Sequence, residues 1–368
     1  MSLGQYINSI KKIDWLLLAP VLLLIVFGLA TLYTTNLNVE NPDWTTLNKQ
    51  LLFFGIGFII LLVVAFSDYR RIASYSAAIY IISLLLLVAV LIWGRTIRGT
   101  TGWFSFLGFS FQPVELAKLA LVLTVSSFYS KRRGREKDAS TVVTLGAITL
   151  LPVALTMLQP DFGSAAMLLA IGLSFFILLS LKPKQILFII LIILVLAMVM
   201  WNYVLVDYQK SRILTFVDPM RDPLGRGYNV RQSIIAIGSG KLWGRGLGLG
   251  TQSQLRFLPE TATDFIFATI AESLGLFGAT ILIALFAWLF IRLLKLIKNA
   301  RDNLSSYLIF GFGVALFVQT IINIGMNMGI LPVTGLPLPF VSSGGSFLVV
   351  SLVAIGMMES IAMRQKIS

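Results

Sequence analysis

The 368-residue chain is 57% hydrophobic and has a mean hydropathy of +0.89, which lies far outside the range of soluble globular proteins. It contains no cysteine and no histidine, which excludes disulfides, thiol nucleophiles, the usual zinc sites and histidine-based acid–base catalysis. Its net charge of +13 is explained first by membrane topology, because Lys and Arg collect in cytoplasmic loops, so nucleic acid is not expected as a partner.

Apolar runs along the chain are long enough to cross a bilayer as helices, which takes about 20 residues each. The first run follows Lys11 and Lys12 and has no small-residue cleavage site after it, so we interpret it as a retained helix. The predicted fold is an all-α polytopic membrane protein with about ten transmembrane helices in a single domain over 1–368. The spans lie near 15–35, 50–67, 73–94, 113–130, 141–158, 163–181, 185–206, 264–292, 305–327 and 346–362.

Basic residues predict the orientation of the bundle. Alternate connections carry the clusters KKID, DYRR, SKRRGREKD, LKPKQ, RLLKLIKNARD and MRQKIS, which places them and both termini in the cytoplasm. The outward connections are then 36–49, 95–112, 159–162, 207–263 and 328–345. The longest of these, an extracytoplasmic loop at about 207–263, precedes the eighth helix.

This long loop is basic although it faces outward. Either its length frees it from the charge rule, or the outer face binds an anion such as phosphate, which suits arginine. Its stretch GSGKLWGRGLGLGTQ, residues 238–252, fails as a P-loop because Ile235 and Leu242 occupy the required Gly and Ser/Thr positions. We expect its glycines to provide tight turns and close backbone approach.

Ionisable residues in or beside the apolar spans are the next candidates. In FQPVELAKLALVL, Glu115 and Lys118 are three residues apart and so lie on one helix face near the outer end. They form either a self-neutralising pair or a lysine that faces an outward cavity and is positioned by Glu115 to meet a phosphate. Asp161, in LQPDFGSA, is either a helix N-cap or part of the same site.

Asp264 lies in RFLPETATDFIFATIAES, where the polar loop meets the eighth span. Thr261-x-x-Asp264 resembles a capping box, which is one interpretation. The other is a functional carboxylate, since the arginine-rich loop ends here and no histidine can serve as a base. Glu272 lies two turns further along and is expected to line the bundle interior.

The last outward segment, NMGILPVTGLPLPFVSSGGS at 327–346, is too rich in proline and glycine for a regular spanning helix. We expect it to enter the outer cavity, because irregular backbone at membrane depth must be buried in protein or face water. It contributes Ser343 as a candidate substrate-binding residue.

Five motifs resemble those of the SEDS family, the bacterial RodA, FtsW and SpoVE proteins: FLPETATDFIFA, QPVELAKLA, DPLGRGYNVRQS, AIGSGKLWGRGLGLGTQ and NMGILPVTGLPLPFVSSGGS. The resemblance covers nearly the whole chain and implies a ten-helix bundle with both termini inside. It also implies a peptidoglycan glycosyltransferase that polymerises lipid II on the outer face of the bacterial cytoplasmic membrane. Short tails favour a RodA-like role in elongation over division or sporulation.

Roles for single residues follow from the resemblance. Asp264 matches the family's essential carboxylate and is the expected general base, which takes a proton from an acceptor hydroxyl while MurNAc C1 inverts. Glu115 and Lys118 match the paired charges of the family's fourth helix. Together with these two, the predicted substrate-binding residues are Arg98, Asp161, Arg212, Arg231 and Ser343. A divalent cation, Mg²⁺ or Mn²⁺, is expected to help hold the polyprenyl pyrophosphate of the glycan donor, with unknown ligands and no organic cofactor. A class B penicillin-binding protein, a single-pass transpeptidase, is the expected partner.

Two other functions remain open. A flippase for the lipid-linked precursor would also need charged residues in a polytopic bundle, although alternating access predicts a site near the membrane midplane. A non-catalytic scaffold that recruits the transpeptidase would be indifferent to the loss of Asp264.

Overall fold

The computed structural model describes residues 12–37, 42–97, 99–106, 109–132, 138–178, 226–255 and 257–365, and a few positions between 191 and 218. Helices dominate it, as predicted. In chain order the elements are α1 (Trp15–Thr34), α2 (Thr45–Phe66), α3 (Tyr69–Ser74), α4 (Ser76–Trp93), β1 (Arg95–Ile97), β2 (Thr100–Phe106), β3 (Phe109–Phe111), α5 (Pro113–Ser130), α6 (Ala139–Leu158), α7 (Phe162–Leu178), α8 (Arg226–Ser239), α9 (Thr251–Gln254), α10 (Ile266–Lys298), α11 (Asn303–Asn327) and α12 (Gly345–Gln365).

Seven of the described helices are long and apolar enough to cross a membrane: α1, α2, α4, α6, α10, α11 and α12. The shorter apolar helix α7 and the 18-residue helix α5 coincide with two further predicted spans. The all-α polytopic class is therefore confirmed. The span predicted near 185–206 lies outside the described residues, and the total of ten helices and their orientation remain predictions.

The bundle is centred on α12. Its apolar window is 83% buried, whereas those of α2 and α4 are each 22% buried and so lie at the periphery. Glycines allow α2 and α12 to pack closely: a Cβ on Gly57 would stand 2.7 Å from the Leu352 side chain, and one on Gly356 would stand 2.7 Å from the Leu61 carbonyl oxygen. Such small residues are a common device for close packing of spanning helices.

The connection at 95–112, expected to be a loop, contains a three-stranded antiparallel sheet in the order β1-β2-β3. Thr96 pairs with Thr101 in the first ladder, and Ser105 pairs with Ser110 in the second. Threonine and aromatic residues favour strands, but this stretch is too short for their alternation to stand out within an apolar sequence. The Thr101 N–H donates to the Gln159 carbonyl oxygen (3.2 Å), which fastens the sheet to the turn between α6 and α7.

The eighth predicted span, 264–292, differs from the helix observed there. Gly275 has φ 66° and ψ −161°, so α10 consists of two limbs separated by a non-helical residue. The second limb, 276–298, is about 34 Å long at 1.5 Å per residue and is sufficient on its own to cross a bilayer. The first limb, 266–274, is a separate short helix, and α10 starts only after Phe265. The capping-box interpretation of Asp264 is therefore wrong, because Asp264 lies outside the first turn.

Residues 240–246 of the loop hold the two limbs of α10 together, an arrangement that we call the glycine clasp. A non-helical residue deprives neighbouring backbone groups of their intrahelical partners, and the loop replaces these hydrogen bonds. The bonds run from Arg245 N to Glu272 O (2.9 Å), Gly246 N to Ser273 O (3.1 Å), Leu276 N to Lys241 O (2.8 Å) and Phe277 N to Leu242 O (3.2 Å). Gly244, with φ 81°, lies so close that a Cβ on Gly275 would stand 2.3 Å from its nitrogen. The predicted role of these glycines in turns and close approach is confirmed.

Glu272 is fully buried, but it contacts the loop and not a cavity. Its carboxylate accepts the N–H groups of Gln252 (2.8 Å) and Ser253 (3.0 Å) at the start of α9. Glu272 is therefore in the interior, as expected, and its carboxylate stabilises the backbone of the loop at the start of α9.

At the opposite end of the bundle, Asp302 links α3 to the start of α11. Its carboxylate accepts the Ser305 N–H (2.7 Å), the Tyr69 hydroxyl (2.8 Å) and the Arg70 guanidinium (2.7 Å). Burial favours a higher pKa for Asp302, but these donors outweigh it and lower the pKa to about 2. Burial, assisted by Asp302, raises the pKa of Tyr69 to about 12, so Tyr69 stays neutral and continues to donate.

Candidate active site

Asp264 lies half-buried in the turn before α10, with its backbone fixed by α11. Its carbonyl oxygen accepts two side-chain amides, from Asn323 (3.1 Å) and Asn327 (2.9 Å). Its carboxylate borders Gly335: a Cβ on that glycine would stand 3.6 Å from Oδ2. Asp264 is thus placed between α11 and the irregular segment that precedes α12.

Three buried amide side chains on one face of α11 form what we call the amide ladder: Gln319, Asn323 and Asn327. Their spacing of four residues aligns them along the helix, about 6 Å apart along its axis. The ladder also donates to segment 335–343, from Gln319 Nε2 to Pro337 O (3.0 Å) and from Asn323 Nδ2 to Leu336 O (2.8 Å). It accepts the Ala268 N–H at Asn327 Oδ1 (3.1 Å) and the Lys118 ammonium at Gln319 Oε1 (3.3 Å). One helix face therefore connects Asp264, the first limb of α10, segment 335–343 and Lys118.

Glu115 and Lys118 form a buried ion pair on α5. Lys118 Nζ lies 2.8 Å from Glu115 Oε2, and the ammonium stands 5.5 Å from the centre of the Phe347 ring. Both side chains are nearly inaccessible to solvent, which is tolerable because each compensates the charge of the other. The self-neutralising interpretation matches this geometry. A phosphate would reach Lys118 only after Glu115 or Gln319 gave way.

Asp161 caps α7. Its carboxylate accepts the Ser164 N–H (3.0 Å) and hydroxyl (2.7 Å), as an N-cap residue does, and also the Gln112 side-chain amide (3.2 Å). Because Gln112 immediately precedes α5, Asp161 ties the start of α7 to the helix that carries Glu115. The structural interpretation of Asp161 explains all of these contacts, and its substrate-binding role remains a prediction.

The segment between α11 and α12 has no helix or strand within 330–344, as its composition predicted, and much of it is buried. Two serines dock it onto the Asp264 turn. The Ser343 N–H donates to the Ala262 carbonyl oxygen (2.8 Å), and the Ser342 hydroxyl donates to the Thr263 carbonyl oxygen (2.6 Å). The Ser343 backbone therefore contacts the turn that carries Asp264, and its substrate-binding role remains a prediction.

Of the three candidate arginines, one lies within the described residues. Arg231 is exposed on α8. The Ser233 hydroxyl of the same helix donates to the Asn327 carbonyl oxygen (2.7 Å), so α8 packs against the amide ladder. Arg98 and Arg212 lie outside the described residues. Their predicted contacts with a pyrophosphate remain predictions.

Carboxylates are among the oxygen ligands that the predicted divalent cation would use. No group of three or more Asp and Glu side chains comes together there in a way that could hold a metal ion. A cation held by fewer carboxylates than three would complete its coordination with other oxygen ligands, such as those of a substrate phosphate, which is how Mg²⁺ is commonly bound.

Sequence reasoning missed the amide ladder and Ser342. The signal for the ladder is present in QTIINIGMN, where Gln319, Asn323 and Asn327 recur every four residues within an apolar span. Uncharged amides in a spanning helix require hydrogen-bond partners just as charged groups do, so this spacing indicates a polar face. Ser342 carries no comparable signal, because its role depends on the path of an irregular segment.

Known proteins are similar to this chain over almost its entire length. The family model FTSW_RODA_SPOVE, described as cell cycle protein, matches residues 13–367. The peptidoglycan glycosyltransferase MrdB of Escherichia coli (strain K12) is 36% identical over 362 residues, with 98% of each chain covered. A probable peptidoglycan glycosyltransferase FtsW of Geobacter sulfurreducens (strain DL-1 / KN400) is 33% identical over 374 residues, covering 100% of this chain and 99% of the relative.

Solved structures have the same fold. The crystal structure of the Rod shape determining protein RodA of Thermus thermophilus matches with a TM-score of 0.71 at 28% identity, covering 97% of this chain and 98% of that one. A chain from the structure described as "Structural coordination of polymerization and crosslinking by a peptidoglycan synthase complex" matches with a TM-score of 0.78 at 28% identity, covering 97% and 99%. Since the family model spans nearly the whole sequence, the chain belongs to the FtsW, RodA and SpoVE family of cell cycle proteins.

Proposed function

We propose that this multi-pass membrane protein is a peptidoglycan glycosyltransferase that polymerises lipid II into glycan strands, with Asp264 as its general base. The observation that carries the proposal is the placement of Asp264, whose backbone is held by two buried amides while the residue itself is only partly buried. The glycosyltransferase names of relatives such as MrdB, 36% identical along the whole chain, support the same activity.

The reaction transfers a glycan from polyprenyl pyrophosphate to the 4-hydroxyl of the GlcNAc residue of lipid II. Asp264 accepts the hydroxyl proton as the oxygen attacks MurNAc C1 from the face opposite the pyrophosphate. The new C1–O bond forms as the bond to phosphate breaks, which inverts C1 and leaves the electron pair on the departing diphosphate. Lys118 and arginines stabilise that negative charge, once Glu115 or Gln319 releases the lysine.

A divalent cation, Mg²⁺ or Mn²⁺, enters this scheme with the substrate. Fewer than three carboxylates of the described residues would hold it together with pyrophosphate oxygens, because no group of three or more occurs there. Such an ion supplies charge neutralisation for the leaving diphosphate.

The location and partner follow from the same proposal. The substrate headgroup is polymerised on the outer face of the bacterial cytoplasmic membrane, so the Asp264 end of the bundle faces outward. The similarity to a chain of a peptidoglycan synthase complex that coordinates polymerization and crosslinking supports a class B penicillin-binding protein as the partner.

The test is polymerisation of lipid II by purified wild type and Asp264→Asn, each with and without the partner and each with Mg²⁺ or Mn²⁺. Asp68→Asn is a matched control at the other end of the bundle, because asparagine can also accept the Arg70 N–H that Asp68 caps. Wild type and Asp68→Asn are expected to produce glycan strands, whereas folded Asp264→Asn produces none.

Two other outcomes would contradict this proposal. Equal activity of wild type and Asp264→Asn would remove Asp264 from the chemistry. No product from any variant, even with partner and cation, would favour the flippase or the scaffold.

A further inference from the structure

Large apolar side chains are exposed on the glycine clasp and on the three residues that follow it. They are Leu242 (62% exposed), Trp243 (79%), Leu247 (54%) and Leu249 (63%), and we call them the clasp patch. The hydrogen bonds of the clasp to α10 run between backbone atoms, so they leave these side chains available for another contact. Exposed clusters of large apolar groups mark surfaces that interact with lipid or protein.

The clasp patch is continuous with the exposed surface of a spanning helix. The Trp243 ring lies 6.0 Å from the Phe277 ring, centroid to centroid. Phe277 and Leu276 begin the second limb of α10, and both are more than half exposed. Ile281 lies four residues after Phe277 and Ile283 seven after Leu276, so these exposed side chains extend the same helix faces into the span. Lipid contacts such faces, and the contact therefore extends up to Trp243.

The length of the second limb places the clasp at the membrane surface. Lys295 lies in its last turn, and a lysine at the end of a spanning helix extends to the headgroups. From Lys295 back to Leu276 the helix rises about 28 Å, which is close to the thickness of the hydrocarbon core. Leu276 is thus at the opposite boundary of the core. Lys241 and Leu242 lie there as well, because their carbonyl oxygens accept the N–H groups of Leu276 and Phe277.

The composition of the loop suits the boundary between headgroups and acyl chains. In KLWGRGLGL, residues 241–249, the apolar side chains are interspersed with two exposed cations, Lys241 and Arg245. Tryptophan is enriched at this boundary because its ring is apolar and its N–H can bond to headgroups. Lysine and arginine reach lipid phosphates while neighbouring leucines enter the acyl region. Lipid therefore complements both the apolar and the charged groups of this stretch.

We propose that the clasp patch inserts into the headgroup–acyl boundary of the leaflet at the Asp264 end of the bundle, which is the outer leaflet in the predicted orientation. The loop that replaces the broken backbone hydrogen bonds of α10 is thereby anchored in lipid. The membrane surface then helps to fix the level of the first limb, which follows Asp264 in the chain. This inference does not depend on the proposed glycosyltransferase activity.

Spin labels on single cysteines test the anchor in the full-length protein, because the chain contains no cysteine. Leu242→Cys and Leu247→Cys carry the label on the clasp patch. Ile283→Cys is the reference for lipid, because it is exposed about 10 Å further along the second limb. Thr96→Cys on β1 is the control, because it is also exposed and also follows a spanning helix closely.

Power saturation in vesicles of phosphatidylethanolamine and phosphatidylglycerol measures how often each label collides with oxygen, which concentrates in lipid, and with a nickel complex, which stays in water. Interfacial segments typically lie about 5–10 Å deep. Both clasp labels are therefore expected to have a higher ratio of oxygen to nickel collisions than Thr96→Cys and a lower ratio than Ile283→Cys.

Two other results would overturn the anchor. Nickel collisions equal to those of Thr96→Cys at either clasp position would place the loop in water. Few collisions with both reagents at either position would show that protein covers the patch, from another segment of this chain or from a second copy.

A measurement without a label excludes an effect of the apolar nitroxide. Lipids brominated near the headgroup end of the acyl chain quench tryptophan on contact. The emission lost in Trp243→Phe relative to wild type is expected to be smaller in brominated than in unbrominated vesicles, because a quenched Trp243 emits little. Trp288→Phe, on the second limb of α10, is the matched control for a tryptophan within the span. An equal loss of emission in both kinds of vesicle for Trp243→Phe would show that Trp243 does not contact lipid and would overturn the proposal.

Discussion

At the scale of single residues, the geometry of the buried pair of Glu115 and Lys118 bears on the two roles that the sequence left as alternatives. Its geometry is that of a structural ion pair, with the charges 2.8 Å apart and nearly inaccessible. However, Lys118 also bonds to Gln319, whose neighbour on the amide ladder holds Asp264. A purely structural pair and a pair that supplies charge to the diphosphate differ in what happens when both charges are removed.

A double-mutant cycle with Glu115→Gln and Lys118→Met separates the two roles. Each single change leaves a buried charge without compensation and is expected to cost about 3–5 kcal/mol of unfolding free energy. The double variant is expected to recover most of that stability, because an apolar or neutral pair is often tolerated. Polymerisation is expected to stay at least about a hundredfold below wild type, since the diphosphate has lost a cation.

Unfolding of the detergent-solubilised variants and their lipid II polymerisation rates are the two measurements. If the double variant regained wild-type activity along with its stability, Lys118 would be structural only.

At the scale of elements, the glycine clasp determines where Asp264 stands. If α10 were continuous from 264 onward, Asp264 would be part of the helix that crosses the membrane. Instead, the non-helical Gly275 lets the first limb pack independently, and residues 241–246 replace the lost hydrogen bonds. The position of the first limb therefore depends on residues 241–246 of the loop, which hold it through backbone hydrogen bonds.

Replacing Gly275 with alanine tests this dependence. Its backbone conformation is one that only glycine readily adopts, so alanine is expected to cost about 1–3 kcal/mol from strain alone. The added Cβ would also stand 2.3 Å from the Gly244 nitrogen, which forces the clasp apart. Gly146→Ala in α6 is the control, because a Cβ there meets nothing within 4 Å and alanine favours helix.

Thermal unfolding and polymerisation of both variants decide the outcome. Gly275→Ala is expected to unfold at a lower temperature and to lose activity. Gly146→Ala is expected to keep wild-type activity and an unfolding free energy within about 1 kcal/mol of wild type or slightly above it. Equal stability of the two variants would show that the clasp is dispensable.

At the scale of the whole molecule, the spans were predictable and the features that build the site were not. Apolar runs of about 20 residues are local signals, so α1, α2 and α4 lie close to their predicted positions. The break at Gly275 has no local signal, because a glycine within an apolar run is compatible with a continuous helix. The break becomes evident only from the contact with Gly244, about 30 residues earlier in the chain. The amide ladder likewise needs its partners on the Asp264 turn and segment 335–343.

The predicted orientation can be measured directly because the chain has no cysteine. Thr96→Cys lies on exposed β1 at the predicted outer face, and Lys131→Cys lies just after α5 at the predicted inner face. A membrane-impermeant maleimide is expected to label Thr96→Cys in intact spheroplasts and Lys131→Cys only after permeabilisation. The opposite pattern would reverse the topology and remove the outward-facing site.

The amide ladder also affects how much the backbone of the turn that carries Asp264 must change during a reaction cycle. Because Asn323 and Asn327 both hold the Asp264 carbonyl oxygen, the backbone of this residue loses its freedom when the protein folds. This backbone does not have to be ordered again when an acceptor hydroxyl arrives. The conformational entropy of the turn is then lost once, at folding, and not again at every sugar added. A polymerase that repeats one step many times along a strand gains from such pre-organisation at each addition.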